Sequence, residues 1–105
     1  MKTVITCKGN NQKAHFDLRF GRAGWFCLID DESGDPTFIE NDQVEVTGGA
    51  GVKTAEKMVE LGVQKVISGH FGPKAKDLLD KFNIQMVMID DDDQSISKII
   101  ARLNK

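Results

Sequence analysis

The sequence predicts a single α/β domain built on a five-stranded mixed sheet, with elements in the order β-β-β-α-β-α-β-α. Three observations predict it. Short β-branched and aromatic runs, separated by turn formers, fill the first half. Apolar residues at helical spacing recur three times in the second half. Between those helical stretches lie short apolar runs, as expected for parallel strands joined by right-handed crossovers. The length of 105 residues corresponds to one domain, 1–105, large enough to bury a core without covalent staples.

The elements follow in order. Thr3 to Cys7 is a short β-branched run, and Trp25 to Asp30 is a second strand. Residues 8 to 23 between them show no period and read as a loop. Asp31-Glu32-Ser33-Gly34-Asp35-Pro36 is dense in turn formers and predicts a hairpin into Thr37–Glu40. Pro36 cannot donate to a ladder, which suits the start of an edge strand. Val52, Ala55, Val59 and Leu61 fall on one side of a helix that stops at Gly62. Lys65 to Ser68 reads as a short buried strand. Ala75, Leu78, Leu79 and Phe82 keep helical spacing, with Pro73 at the start and Asn83 past the end. Ile84 to Ile89 is almost wholly apolar, as for a strand covered on both faces. Ile96, Ile99, Ile100 and Leu103 predict the last helix. The acidic run Asp90–Asp93 then reads as its cap, with Asp92 or Asp93 at the start and Lys98, Arg102 and Lys105 toward the negative end.

Composition excludes several functions. Fourteen basic and sixteen acidic residues give a net charge of −2, which argues against broad binding to nucleic acid or anionic membranes. No run approaches the ~18 apolar residues of a membrane span, and the start carries no signal-peptide pattern. The expectation is a cytoplasmic protein with reduced thiols. Two cysteines cannot form a disulfide framework or a paired zinc motif. The first strand offers no carboxylate for two-metal nuclease chemistry, and no G-x-S-x-G segment is present.

Eight of the ten glycines fall in four groups within predicted loops: Gly9; Gly21 and Gly24; Gly48, Gly49 and Gly51; Gly69 and Gly72. Two of these clusters directly precede helices. A helix start offers unpaired N–H groups and the positive end of the dipole, so Gly49, Gly51, Gly69 and Gly72 are candidate anion-binding positions. Tight turns and close helix–sheet packing explain the same glycines without a ligand. Neither cluster is a P-loop or a G-x-G-x-x-G fingerprint.

Three segments carry a family resemblance. Arg19-Phe20-Gly21-Arg22-Ala23, followed by Phe26, resembles the R/H-F-G-R-A-x-x-F segment of the dinitrogenase iron–molybdenum cofactor biosynthesis family. Gly49-Ala50-Gly51-Val52-Lys53-Thr54-Ala55 resembles its G-A-G-I-x-T-A segment, and Gly62 to Ala75 its G-V-x-x-V-I-x-G-x-x-G-P-x-A segment. The resemblance covers nearly the whole chain. It implies a ribonuclease-H-like fold with helices on both faces of the sheet. It also implies a non-catalytic carrier or binding domain, of the NifX or NifB C-terminal type, for iron–molybdenum cofactor, its precursor or another metal–sulfide cluster. The implied partners are cofactor-biosynthesis or nitrogenase-type proteins. No radical-SAM portion is present in the sequence, so it resembles the carriers and not the cofactor-building enzyme.

A metal–sulfide cluster wants soft or imidazole ligands, N–H donors to sulfide and compensating positive charge. His70, between Gly69 and Gly72, is the leading ligand candidate, followed by His15 in the long loop and Cys7 at the end of the first strand. Arg22 could donate to sulfide or carboxylate, or simply hold its own turn. Lys8 and Lys74 could raise the local potential, and Phe20 and Phe71 could wall the site. Cys27 reads as core. A cage of about four thiolates is out of reach of two cysteines, so the domain could hold a finished cluster and not build one. Two other readings use the same fold: a regulatory or adaptor domain that binds only protein, and an enzyme acting on a small anionic substrate at the glycine-rich edge.

Overall fold

Alternation along the strands divides the side chains between two cores. In the computed structural model, which describes residues 1–32, 35–42 and 48–103, the elements are β1 (Lys2–Cys7), β2 (Trp25–Asp30), β3 (Thr37–Glu40), α1 (Ala50–Leu61), β4 (Lys65–Ser68), α2 (Pro73–Lys81), β5 (Gln85–Met88) and α3 (Ile96–Leu103). The predicted order is thus the observed one. The sheet runs β3-β2-β1-β4-β5. β1–β2 and β2–β3 are antiparallel, whereas β1–β4 and β4–β5 are parallel. Val4, Phe26 and Val66 point to one face and pack with Ala55, Met58, Ala75 and Leu79 from α1 and α2. Ile5, Cys27 and Ile67, one residue along, point to the other face and pack with Ile96 and Ile99 of α3. The period of two in the strands therefore produces the layered arrangement.

The helix ends follow their sequence signals. Gly62 takes a left-handed conformation (φ 73°), and the Gly62 and Val63 N–H groups donate to the carbonyls of Val59 and Met58. Pro73 occupies the first turn of α2, where its missing N–H has no partner to lose. Two expectations need correction. First, β5 is an edge strand. Met86 and Val87 pack on opposite faces, but Gln85 is exposed and Met88 is 63% exposed, so the apolar run does not mean full burial on both sides.

Second, α3 is not opened by Asp92 or Asp93. Ser95 Oγ accepts the Lys98 N–H at 3.3 Å, while Asp92 pairs with Lys8 at 3.2 Å. The cause lies in the loop between β1 and β2. Within this loop, residues 14–20 form a strap laid across the carboxyl edge of the sheet, with bridges Cys7–Phe16, His15–Ser95 and Arg19–His70. The Phe16 N–H donates to Gln94 O and the Ile96 N–H to Ala14 O, both at 2.9 Å. This pairing holds residues 94–96 extended, so the helix cannot start earlier. Ser33 and Gly34 of the predicted hairpin, Thr47 before α1 and Lys105 after α3 lie outside the described residues.

Candidate functional site

The strap, the start of α1 and the lead-in to α2 meet at the carboxyl edge of the sheet. Their close approach depends on glycine. A Cβ on Gly21 would lie 2.8 Å from Gly51 N, so the turn at 20–22 sits directly on the first turn of α1. A Cβ on Gly69 would lie 2.8 Å from Leu18 Cα, so that glycine lets the strap cross β4's exit. The Phe20 and Phe71 rings pack with centroids 5.0 Å apart, which ties the strap to α2. Asn41 completes the frame. Its buried side-chain amide donates to Ala23 O at 2.7 Å and Gly21 O at 3.2 Å.

This frame encloses a depression of about 340 Å³ lined by Arg19, Phe20, Gly21, Arg22, Gly49, Ala50, Gly51, His70 and Gly72. Two helix starts face it. Gly49 caps α1 in the left-handed region (φ 73°) and Gly72 precedes α2 in extended conformation. Both caps are glycine, so no cap side chain occupies the first-turn N–H groups, and neither first turn carries an acidic residue. The N–H groups and dipoles of both helices thus add positive potential to that of the arginines.

Arg19 is held in a defined orientation. The Asp17 carboxylate, buried beneath the strap, accepts from the Arg19 backbone N–H (3.0 Å), Nε (3.1 Å) and Nη2 (3.0 Å). These hydrogen bonds, and then the charge of Asp17, push the Arg19 pKa further up. The guanidinium is anchored on one edge, and the Arg19 side chain as a whole is 64% exposed. Asp17 is anchored in turn, because Thr6 Oγ1 donates to its carbonyl at 2.6 Å and lies 2.8 Å from Ser68 Oγ. The arrangement presents fixed donors to an anion.

Of the residues singled out from sequence, the structure brings Arg22, Gly49, Gly51, His70 and Gly72 together. Gly51 lies within the first turn of α1 and not in the loop before it. Gly69 is packed under Leu18 and does not line the depression. His15 is exposed and pairs with Ser95 beside α3, away from the lining residues. Cys7 is fully buried in the second core with Cys27. Lys8 pairs with Asp92, and Lys74 lines a separate shallow groove between α1 and α2. Among the described residues, no group of three or more His, Cys, Asp or Glu is placed to hold a metal ion. Sequence reasoning missed the roles of Asp17, Arg19 and Asn41. Only Arg19 had a signal, its place in the Arg-Phe-Gly-Arg-Ala segment.

Burial sets the chemistry of the two thiols. Desolvation, with smaller contributions from neighbouring charge at Cys7, pushes both Cys7 and Cys27 up to about 12 from the usual 9.0. The folded chain therefore binds these protons more tightly than the unfolded chain. Their contribution to stability is intact below pH ~9 and is lost as pH rises toward ~12, at a limit of roughly 1.4 kcal/mol per pH unit per thiol. Urea unfolding between pH 8 and 11 checks this. The wild type should lose stability more steeply than a Cys7→Ala/Cys27→Ala variant, and parallel slopes would refute it.

Comparison with known proteins gives the context. The family model described as dinitrogenase iron-molybdenum cofactor matches residues 1–105. Among solved structures, the apo form of the orange protein from Desulfovibrio gigas superposes with a TM-score of 0.89 at 24% identity, covering 98% of this chain and 86% of that one. A putative NifB protein from Thermotoga gives a TM-score of 0.82 at 23% identity, again over 98% and 86% of the two chains. At these identities the likeness is one of fold, and it matches the mixed five-stranded sheet with three helices. No curated protein matches the sequence. Among the described residues, no helix is long and apolar enough to cross a membrane. With the family model spanning the chain from end to end, and the fold shared with the putative NifB protein, the chain belongs to the dinitrogenase iron–molybdenum cofactor family.

Proposed function

We propose that the depression at the carboxyl edge docks an anionic metal–sulfide cluster, either iron–molybdenum cofactor or a precursor of it. In this reading the protein carries the cluster between cofactor-biosynthesis or nitrogenase-type partners and does not transform it. One observation carries the reading: an arginine fixed by a buried carboxylate stands beside Arg22 and His70 at two helix starts free of acidic residues. Sulfide surfaces accept N–H donors, and a bulky anion suits a broad shallow seat lined by glycine backbone. His70 supplies the one imidazole among the lining residues and is the direct ligand in this reading. Cys7 and His15 are the further ligands only if the strap lifts, since Cys7 is buried beneath it and His15 is paired beside α3. Family membership supports the cofactor class.

Anaerobic incubation with tetrathiomolybdate tests this. After gel filtration, the protein should retain molybdenum by metal analysis and show a shifted visible spectrum. An Arg19→Ala/His70→Ala variant that still folds should lose most of both. No uptake by the wild type, or equal uptake by the variant, would remove the site from consideration.

A further inference from the structure

A second cleft, of about 330 Å³, lies at the opposite edge of the sheet, where β1 and β4 begin. Its floor is a single row across the α3 face. Lys65, Thr3 and Ile29 are register neighbours on β4, β1 and β2. Ile100 and Leu103 of α3 line it from above, and Asp30, Asp31 and Met1 form its far rim.

Two polar groups of this row are left open to the cleft. Thr3 lines it, and its hydroxyl has no hydrogen-bond partner among the described residues. Lys65, half-buried on the neighbouring strand about 4.8 Å away, has no ion pair or hydrogen bond among the described residues either. An ammonium and a hydroxyl side by side at one end of the cleft form a seat for a carboxylate. The other end has the opposite character. Asp31 stands 3.8 Å from the N-terminal ammonium, and Asp30 accepts the Glu32 N–H at 3.0 Å. Between the two ends stand the apolar side chains of Ile29, Ile100 and Leu103. Met1 and Leu103, which border the cleft, are among the few large apolar side chains left exposed in the described residues.

We infer that this cleft binds a small amphipathic monocarboxylate. Its carboxylate rests on Lys65 and Thr3, its hydrocarbon body covers Ile29, Ile100 and Leu103, and the acidic rim selects against a second negative charge at the far end. The size suits the lower end of ligand cavities, ~300–1,000 Å³. The site is distinct from the depression at the carboxyl edge and does not depend on what that depression holds.

Octanoate, its dicarboxylate analogue octanedioate and octanol are the probes, titrated into the ¹⁵N-labelled full chain and followed by amide chemical shifts. Octanoate should saturate with a Kd of about 0.1–1 mM, on the scale of ligand efficiencies for about ten heavy atoms. The shifts should centre on Thr3, Ile29, Lys65 and Ile100. Octanedioate and octanol should each bind at least about fivefold more weakly. Lys65→Gln should weaken octanoate about tenfold, and Lys65→Arg should restore most of it, with melting temperatures close to the wild type. Equal binding of octanoate and octanedioate, an unaffected Lys65→Gln variant, shifts centred on Arg19 and His70, or no saturation would each overturn the assignment.

Discussion

Asp17→Asn should weaken tetrathiomolybdate binding by about tenfold, although it removes a negative charge from beneath an anion site. The sign is what makes the measurement informative. If the depression attracted its ligand through net charge alone, deleting a carboxylate would tighten binding. In the structure, Asp17 spends both oxygens on the Arg19 side chain and one of them also on the Arg19 N–H. Asparagine keeps the size but offers one acceptor where two are needed. The guanidinium then regains side-chain freedom of ~1–2 kcal/mol, which must be lost again on binding. That loss is worth about tenfold in affinity and exceeds the gain from one screened charge. Titration by visible absorption, with urea unfolding in parallel, separates positioning from unfolding. Tighter or unchanged binding in the folded variant would show that Asp17 does not position Arg19.

Phe20→Ala should lower stability by about 3–5 kcal/mol, the usual range for deleting a fully buried aromatic ring. Phe20 is 1% exposed, belongs to the first core and packs on Phe71 at 5.0 Å. Its backbone N–H also holds His70 O at 3.2 Å, so the strap loses its side-chain anchor at the point where it meets α2. Against a total stability of ~5–15 kcal/mol this is a large fraction, and the melting temperature should fall by about 15 °C or more. Differential scanning calorimetry checks it. A loss below ~1 kcal/mol would mean that the ring is not a core element. Phe82→Ala makes the control, because that ring is 50% exposed at the end of α2.

How far the sequence could be read depended on how local each signal was. Helices α1 to α3 and strands β1 to β5 declare themselves through spacing within ten or so residues, and each was recognisable within two or three residues of its ends. The Gly62 stop and the Pro73 start are equally local. The strap is not local. Its bonds run one at a time to Thr6, Gln94, Ile96, Gly69 and His70, so no run of residues carries a period. The start of α3 was misplaced for the same reason, since pairing with the strap outweighs the capping preference of Asp92 and Asp93. At the site, the glycine clusters and His70 were readable because loops before helices are readable. Asp17 and Asn41 were not, because a buried carboxylate and a buried amide become meaningful only when their partners are known. Cys7 ends a strand near the right edge, but which face it points to depends on the register with β2.

A helix of eight residues has little stability of its own, since nucleation alone is unfavourable. In this protein α3 begins where the strap and the chain leading into it supply acceptors: Ile96 N–H donates to Ala14 O and Ser97 N–H to Gln12 O, both at 2.9 Å. The same stretch of chain that presents Arg19 on one side therefore sets where the helix starts on the other. The strap is a folding template as well as a binding element. Truncating it would remove the roof of the second core together with the anion seat, whereas single-atom changes such as Asp17→Asn can separate the two roles.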